Sequence, residues 1–304
     1  LNSQNIIIPP YLKKNDNVGI VCTARKITSE EVSLAVNLLK SWNLKVQLGK
    51  TIGLDNFQLG GSDEQRTEDF QAMLDDRNIH AIWCARGGYG TVRIIDQIDF
   101  SNFLKNPKWI IGFSDATVLH SHIHNLGVAS IHSIMPFSVD KSTFEAKKSL
   151  QNAVFGTSVS YKIPSSSHNK NGWAKGVLVG GNLSILYSLL GSKSSISTQE
   201  KILFLEDLDE YLYHIDRMMV NLKRNCYFDK VKGIIVGGMI DMHDNQIPFG
   251  RNIYEIILNI TQEFNIPICF DFPAGHLPDN RALIFGKQIH FEVNNDFVGI
   301  DFVD

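Results

Sequence analysis

Trp109-Ile110-Ile111-Gly112-Phe113-Ser114-Asp115-Ala116-Thr117 is an apolar run that stops at a turn of small residues and passes into a helical pattern. Ser114 sits at the switch, with Gly112 two residues before it and Ala116 two after. Small neighbours at those places let the backbone turn sharply and push a hydroxyl outward. That is the geometry of a nucleophile elbow, here a variant of G-x-S-x-G with Ala in the last place. A Ser before a helical run is also among the commonest N-caps, and this stretch alone favours that plainer reading.

The pattern repeats on either side. Val18 to Cys22 reads as a buried strand, and Thr28-Ser29-Glu30-Glu31 is a capping box opening a helix to about Trp42. Leu44 to Leu48 alternates as the next strand, Gly60-Gly61 ends a polar loop, and Ser62-x-x-Gln65 caps a second helix. Strand Ile79 to Cys84 leads into Arg86-Gly87-Gly88-Tyr89-Gly90 and a helix from about Thr91. After Ser114 come a helix to about Asn125 and a strand Val128 to Ile131. Strands alternating with helices at this spacing predict an α/β fold with a parallel sheet covered on both faces. Ligands bind such sheets at the carboxyl ends of the strands, so Gly87-Gly88 and Ser114 should meet at one edge.

Further on, Thr143 to Ala153 reads as a helix, and the polar tract Ser165 to Gly172 is the best linker candidate. We expect an N-terminal domain over 1–155, a linker over 156–172 and a C-terminal domain over 173–304. The C-terminal half is mixed: strands Ala174 to Val179, Ile202 to Leu205, Gly233 to Val236 and Ile268 to Phe270, helices around Ile215 to Leu222 and Ile253 to Ile260, and a closing strand pair around Asn294-Asn295.

With 304 residues, 43% of them hydrophobic, the chain can bury a substantial core. A net charge of -3 and the lack of a dense basic tract argue against nucleic acid as a partner. Cys22, Cys84, Cys226 and Cys269 are widely spaced and form no C-x-x-C, so they read as reduced core residues. No apolar run is long enough to span a membrane. Leu1-Asn2-Ser3-Gln4-Asn5, followed only by Ile6-Ile7-Ile8 before Pro9-Pro10, supplies no secretory apolar region, and a cytoplasmic location is expected. The first residue is not Met, which leaves open that a preceding segment was removed.

A serine nucleophile needs a base, and the base needs a group to orient it. Glu206 follows the apolar strand Ile202-Leu203-Phe204-Leu205 and is a candidate. With Asp207, Asp209 and Glu210 beside it, it also reads as an ordinary polar residue where a strand meets solvent. His276 lies in Phe272-Pro273-Ala274-Gly275-His276-Leu277-Pro278, a stiff loop suited to holding an imidazole in one orientation. His120-x-His122-x-His124 lacks the Glu that a zincin-like helix carries, and no metal is expected. The Gly-rich loop lacks both the P-loop ending and the dinucleotide fingerprint, so its use is either backbone N–H groups offered to an oxyanion or a tight packing turn. No cofactor is expected.

Trp83 to Gly90, Gly112-Phe113-Ser114-Asp115, Gly180-Gly181-Asn182-Leu183, Leu205-Glu206-Asp207 with Ile215-Asp216-Arg217-Met218, and Phe272 to His276 together resemble the LD-carboxypeptidase family of serine peptidases. That family includes murein tetrapeptide carboxypeptidases and microcin C self-immunity hydrolases. The resemblance implies a Rossmann-like N-terminal domain with a parallel sheet and a smaller, mixed, β-rich C-terminal domain, usually in a homodimer, with the active site between the two domains. It implies Ser114, Glu206 and His276 as the catalytic triad and the N–H groups of Gly88 and Asp115 as the oxyanion hole. The implied substrate is a muropeptide tetrapeptide losing its terminal D-alanine during cell-wall recycling; a peptidyl or aminoacyl nucleotide is the alternative. Arg86 is a candidate for the substrate carboxylate, and Trp173 for an aromatic shelf under a nucleobase. His132-Ser133-Ile134-Met135, where many members read His-Gly-Pro-Met, and Leu283-Ile284, where Leu-Pro is common, bear on pocket shape and so on the substrate.

Overall fold

The computed structural model describes residues 6–303, so the Leu1 to Asn5 stretch weighed above lies outside the described residues. The strands are β1 (Asn17–Val21), β2 (Lys45–Leu48), β3 (Ile79–Cys84), β4 (Trp109–Gly112), β5 (Ser130–His132), β6 (Ser160–Pro164), β7 (Gly172–Asn182), β8 (Lys201–Leu208), β9 (Gly233–Ile240), β10 (Ile268–Cys269), β11 (Leu283–Phe285), β12 (Gln288–Val293) and β13 (Phe297–Phe302). They form two sheets, ordered β11-β5-β4-β3-β1-β2 and β10-β9-β8-β7-β12-β13-β6.

In the first sheet β1 to β5 run parallel, as the alternation of strands and helices requires. Its central strands are buried on both faces, which is why Ile79–Cys84 and Trp109–Gly112 read as near-continuous apolar runs. Both expected capping boxes form. Thr28 Oγ1 accepts from the Glu31 N–H at 3.2 Å while Glu31 Oε2 accepts from the Thr28 N–H at 2.8 Å, and Ser62 with Gln65 does the same. The helix so opened, Ser29–Ser41, buries Val32, Ala35 and Leu39, a stripe at helical spacing.

The second sheet is mixed: β7, β8, β9 and β10 are parallel, and β12, β13 and β6 join antiparallel. Two strands are absent from the sequence reading. β6 falls inside 156–172, the expected linker, and pairs with β13; its Tyr161 is buried and its hydroxyl donates to the Ala282 carbonyl at 2.6 Å. β11 has only three residues, too few for a period, and pairs antiparallel with β5, so the C-terminal half contributes a strand to the first sheet. One cysteine also departs from expectation: Cys22, Cys84 and Cys269 are buried, but Cys226 is exposed. Among the described residues no helix is long and apolar enough to cross a membrane.

Candidate active site

Ser114 follows β4 by two residues and has φ of +61°, a left-handed conformation that costs a side-chain-bearing residue about 1–3 kcal/mol. Such strain persists only where surrounding packing imposes it. The short 3-10 turn Ser114–Ala116 leads into the helix Thr117–Asn125, and no side-chain capping bond closes that turn. Ser114 is therefore not placed as a cap. The small neighbours matter as the spacing suggested: a Cβ on Gly112 would stand 2.9 Å from the Ala116 Cβ.

Glu206 is not a surface residue at a strand end. β8 continues through it to Leu208, and its side chain has no exposed area. Opposite it β9 carries an extra residue: Leu205 faces Val236 and Asp207 faces Met239, so Gly237-Gly238 bulges against Glu206. A bulge re-aims the side chains beside it. Glu206 Oε2 accepts from His276 Nδ1 at 2.6 Å. A carboxylate can only accept, so Nδ1 carries the proton and Nε2 is the basic nitrogen.

The loop around His276 is fixed by the main chain. The Phe272 N–H donates to the Val236 carbonyl at 3.0 Å, the Gly238 N–H to Ala274 at 2.9 Å, and the Gly275 N–H to Asn280 Oδ1 at 2.8 Å. Gly275 has φ of +108°, and a Cβ there would lie 2.8 Å from Glu206 Oε2. Only glycine fits. Burial works to lower the His276 pKa, but the charge and hydrogen bond of Glu206, with Asp207 behind it, raise it above 6.5 overall. Burial and the neighbouring Glu206 push Asp207 itself up to about 7. The His276 ring also packs edge-on to Phe113, the residue before Ser114, at 4.8 Å between centroids.

Ser114, His276, Gly87 and Gly88 line one cavity of about 790 Å³, in the size range of small-ligand sites. Its charged lining is bipolar, with Arg25, Arg86 and Lys141 of one sign and Asp207, Asp209 and Glu210 of the other. Arg86 lies in it, stacked 3.7 Å over the Phe137 ring and 3.9 Å from Glu31. Trp173 does not line this cavity: it is 77% exposed in β7, paired with Glu292. The structure thus separates Trp173 from the other candidates.

The histidines on the helix after Ser114 are used in packing. His120 Nε2 donates to the Gly112 carbonyl at 2.9 Å and its Nδ1 accepts from Ser130 Oγ at 2.8 Å, and burial lowers its pKa to about 4. His122 meets Ser194 Oγ at 2.9 Å and stacks on Phe100. Among the described residues no cluster of three or more His, Cys, Asp or Glu is arranged to hold a metal.

Sequence reasoning missed what holds the Gly-rich loop. Asp115, considered only for its N–H, is buried, and its Oδ2 accepts from the Thr91 N–H at 2.8 Å, tying the serine turn to the residue after Gly90. Burial raises the Asp115 pKa. Arg66, fully buried and paired with Asp63, donates to the carbonyls of Thr23 and Gly90 and so joins the loops that follow β1 and β3. An Arg amid the polar pattern of its helix gave no local signal of burial.

Comparison with known proteins agrees with this architecture. Residues 18–133 match the LD-carboxypeptidase N-terminal domain, and residues 175–291 match the LD-carboxypeptidase C-terminal domain. A probable murein peptide carboxypeptidase of Bacillus subtilis is 34% identical over 290 residues, covering 92% of this chain and 90% of that protein. The microcin C7 self-immunity protein of Escherichia coli is 26% identical, covering 99% of this chain and 97% of its own. The crystal structure of muramoyltetrapeptide carboxypeptidase from Oxalobacter formigenes superposes with a TM-score of 0.85 at 23% identity, covering 95% of this chain and 99% of that one, a likeness of fold. Since both domain types are matched in order along the chain, this protein belongs to the LD-carboxypeptidase family.

Proposed function

We propose that the chain hydrolyses the L,D-peptide bond to the terminal D-alanine of muropeptide tetrapeptides, with Ser114 as nucleophile, His276 as base and Glu206 as the group that orients His276. One observation carries the reading. A strained serine at a strand-to-helix turn shares a cavity with an imidazole whose Nδ1 is held by a buried carboxylate.

His276 Nε2 takes the hydroxyl proton as Ser114 Oγ bonds to the carbonyl carbon on the L side of the bond. The oxyanion is received by the N–H groups of Gly88 and Asp115. The imidazolium, stabilised by Glu206, returns its proton to the leaving nitrogen, and D-alanine departs. Water then adds to the acyl-enzyme with His276 again as base, releasing tripeptide and restoring the hydroxyl. The mechanism uses no metal or cofactor. The family resemblance extends the proposal to a cytoplasmic homodimer acting in cell-wall recycling.

The test is mass spectrometry of a tetrapeptide ending in meso-diaminopimelyl-D-alanine after incubation with the protein. Tripeptide is expected from the wild type and not from Ser114→Ala; tripeptide from the variant would remove the serine mechanism. The relation to the microcin C7 self-immunity protein favours a second reading, hydrolysis of a peptidyl or aminoacyl nucleotide. Turnover of an aminoacyl adenylate alone would select it.

A further inference from the structure

A carboxypeptidase must tell the last residue of a peptide from an internal one, and the group that marks it is the free carboxylate. We infer that Arg25 binds that carboxylate and thereby fixes the preference for a terminal residue. The inference rests on the function proposed above.

Position is the first argument. A Cβ on Gly88 would lie 2.5 Å from Arg25 Cδ and 2.6 Å from Arg25 Nε, so the guanidinium end of Arg25 passes directly over the loop assigned to the oxyanion. Gly88, at φ of +102°, leaves that passage open. By ordinary bond lengths the carboxylate carbon of a terminal alanine stands only ~4 Å from the carbonyl carbon under attack. A cation that serves it must sit about one side-chain end away from the oxyanion site, where Arg25 is.

Availability is the second. Among the described residues the Arg25 guanidinium has no anionic partner and no side-chain hydrogen bond, although it lines the cavity. Arg86 is already engaged: its Nη1 donates to the Lys26 carbonyl at 3.3 Å and lies 3.9 Å from Glu31, and its Cζ sits over the Phe137 ring. The Arg25 N–H donates to the Gly87 carbonyl at 3.3 Å, so the cation and the Gly-rich loop hold station together. A planar fork with free donors suits a carboxylate in two-point contact, which a lysine such as Lys141 cannot reproduce.

The experiment is calorimetric binding to Ser114→Ala of the D-alanine-ended tetrapeptide and of its C-terminal amide. The acid is expected to bind about 10- to 100-fold tighter than the amide. Adding Arg25→Gln should remove that preference with the amide affinity kept within about twofold, whereas adding Arg86→Gln or Lys141→Gln should preserve it. Arg25→Lys should restore part of the preference. Equal affinity for acid and amide before any arginine is changed, no binding of either peptide, or a preference that survives Arg25→Gln would each overturn the assignment. D-alanine release by the wild type is followed separately. If no D-alanine appears while the acid preference still depends on Arg25, the proposed activity falls and the carboxylate site stands.

Discussion

His276 Nδ1 lies 2.6 Å from Oε2 of Glu206, a carboxylate with no exposed surface. An amide in place of that carboxylate offers either an oxygen or an NH2 group to Nδ1, and the NH2 would force the proton onto Nε2. Glu206→Gln is therefore expected to lower kcat by about 10³- to 10⁴-fold with KM little changed, the size of effect seen when a triad imidazole loses its tautomer. Steady-state kinetics on the tetrapeptide decide it. A loss below tenfold would mean that Glu206 does not orient the base.

The same pair fixes a pH dependence. Burial alone would lower the His276 pKa, and Glu206 by charge and hydrogen bond, with Asp207, raises it above 6.5. The proposed base, His276, works when neutral, so kcat/KM should climb with pH through a midpoint above 6.5. For stability the sign runs the other way: the protonated ring favours the fold most fully below 6.5, and that contribution is lost as pH rises through the raised value. NMR titration of the His276 ring in Ser114→Ala should give a midpoint above 6.5, moving below it when Glu206→Gln is added. An unchanged midpoint in the double variant would contradict the assigned cause.

Gly275→Ala places a methyl 2.8 Å from Glu206 Oε2 at a φ of +108°. We expect a stability loss of about 1–3 kcal/mol in denaturant unfolding, from backbone strain alone. Activity should fall further than the folded fraction does, because relief of the clash displaces Glu206 from His276. Activity in proportion to the folded fraction would show that the loop tolerates the methyl.

Asp115→Ala leaves the backbone N–H assigned to the oxyanion in place and removes the acceptor of the Thr91 N–H. The orphaned buried donor should cost about 1–3 kcal/mol of stability. The predicted signature is a kcat loss with KM nearly constant, since the Gly-rich loop then drifts relative to Ser114. A pure KM effect would place Asp115 in substrate binding instead.

The local features of this chain were legible because their physics is local. Capping boxes join residues three apart, strand–helix alternation shows in hydrophobic period, and the Gly112-x-Ser114-x-Ala116 spacing reflects a contact within a single turn. Short or interrupted strands escaped the same reading. β6 alternates for five residues beside a polar tract, and β11 is three residues long, held by its pairing with β5.

The sequence by itself determined an α/β chain with a serine at a strand-to-helix turn and, far along, a carboxylate after a strand and an imidazole in a rigid loop. Only the tertiary structure decided that Glu206 is buried against His276, that Asp115 and Arg66 hold the Gly-rich loop, that Arg25 reaches over Gly88, and that Trp173 stands outside the cavity. The physical reason is range. Periodicity and capping act between neighbours in sequence, whereas the burial of Glu206, its pairing with His276 and the bulge at Gly237-Gly238 arise between segments tens of residues apart and have no local signature.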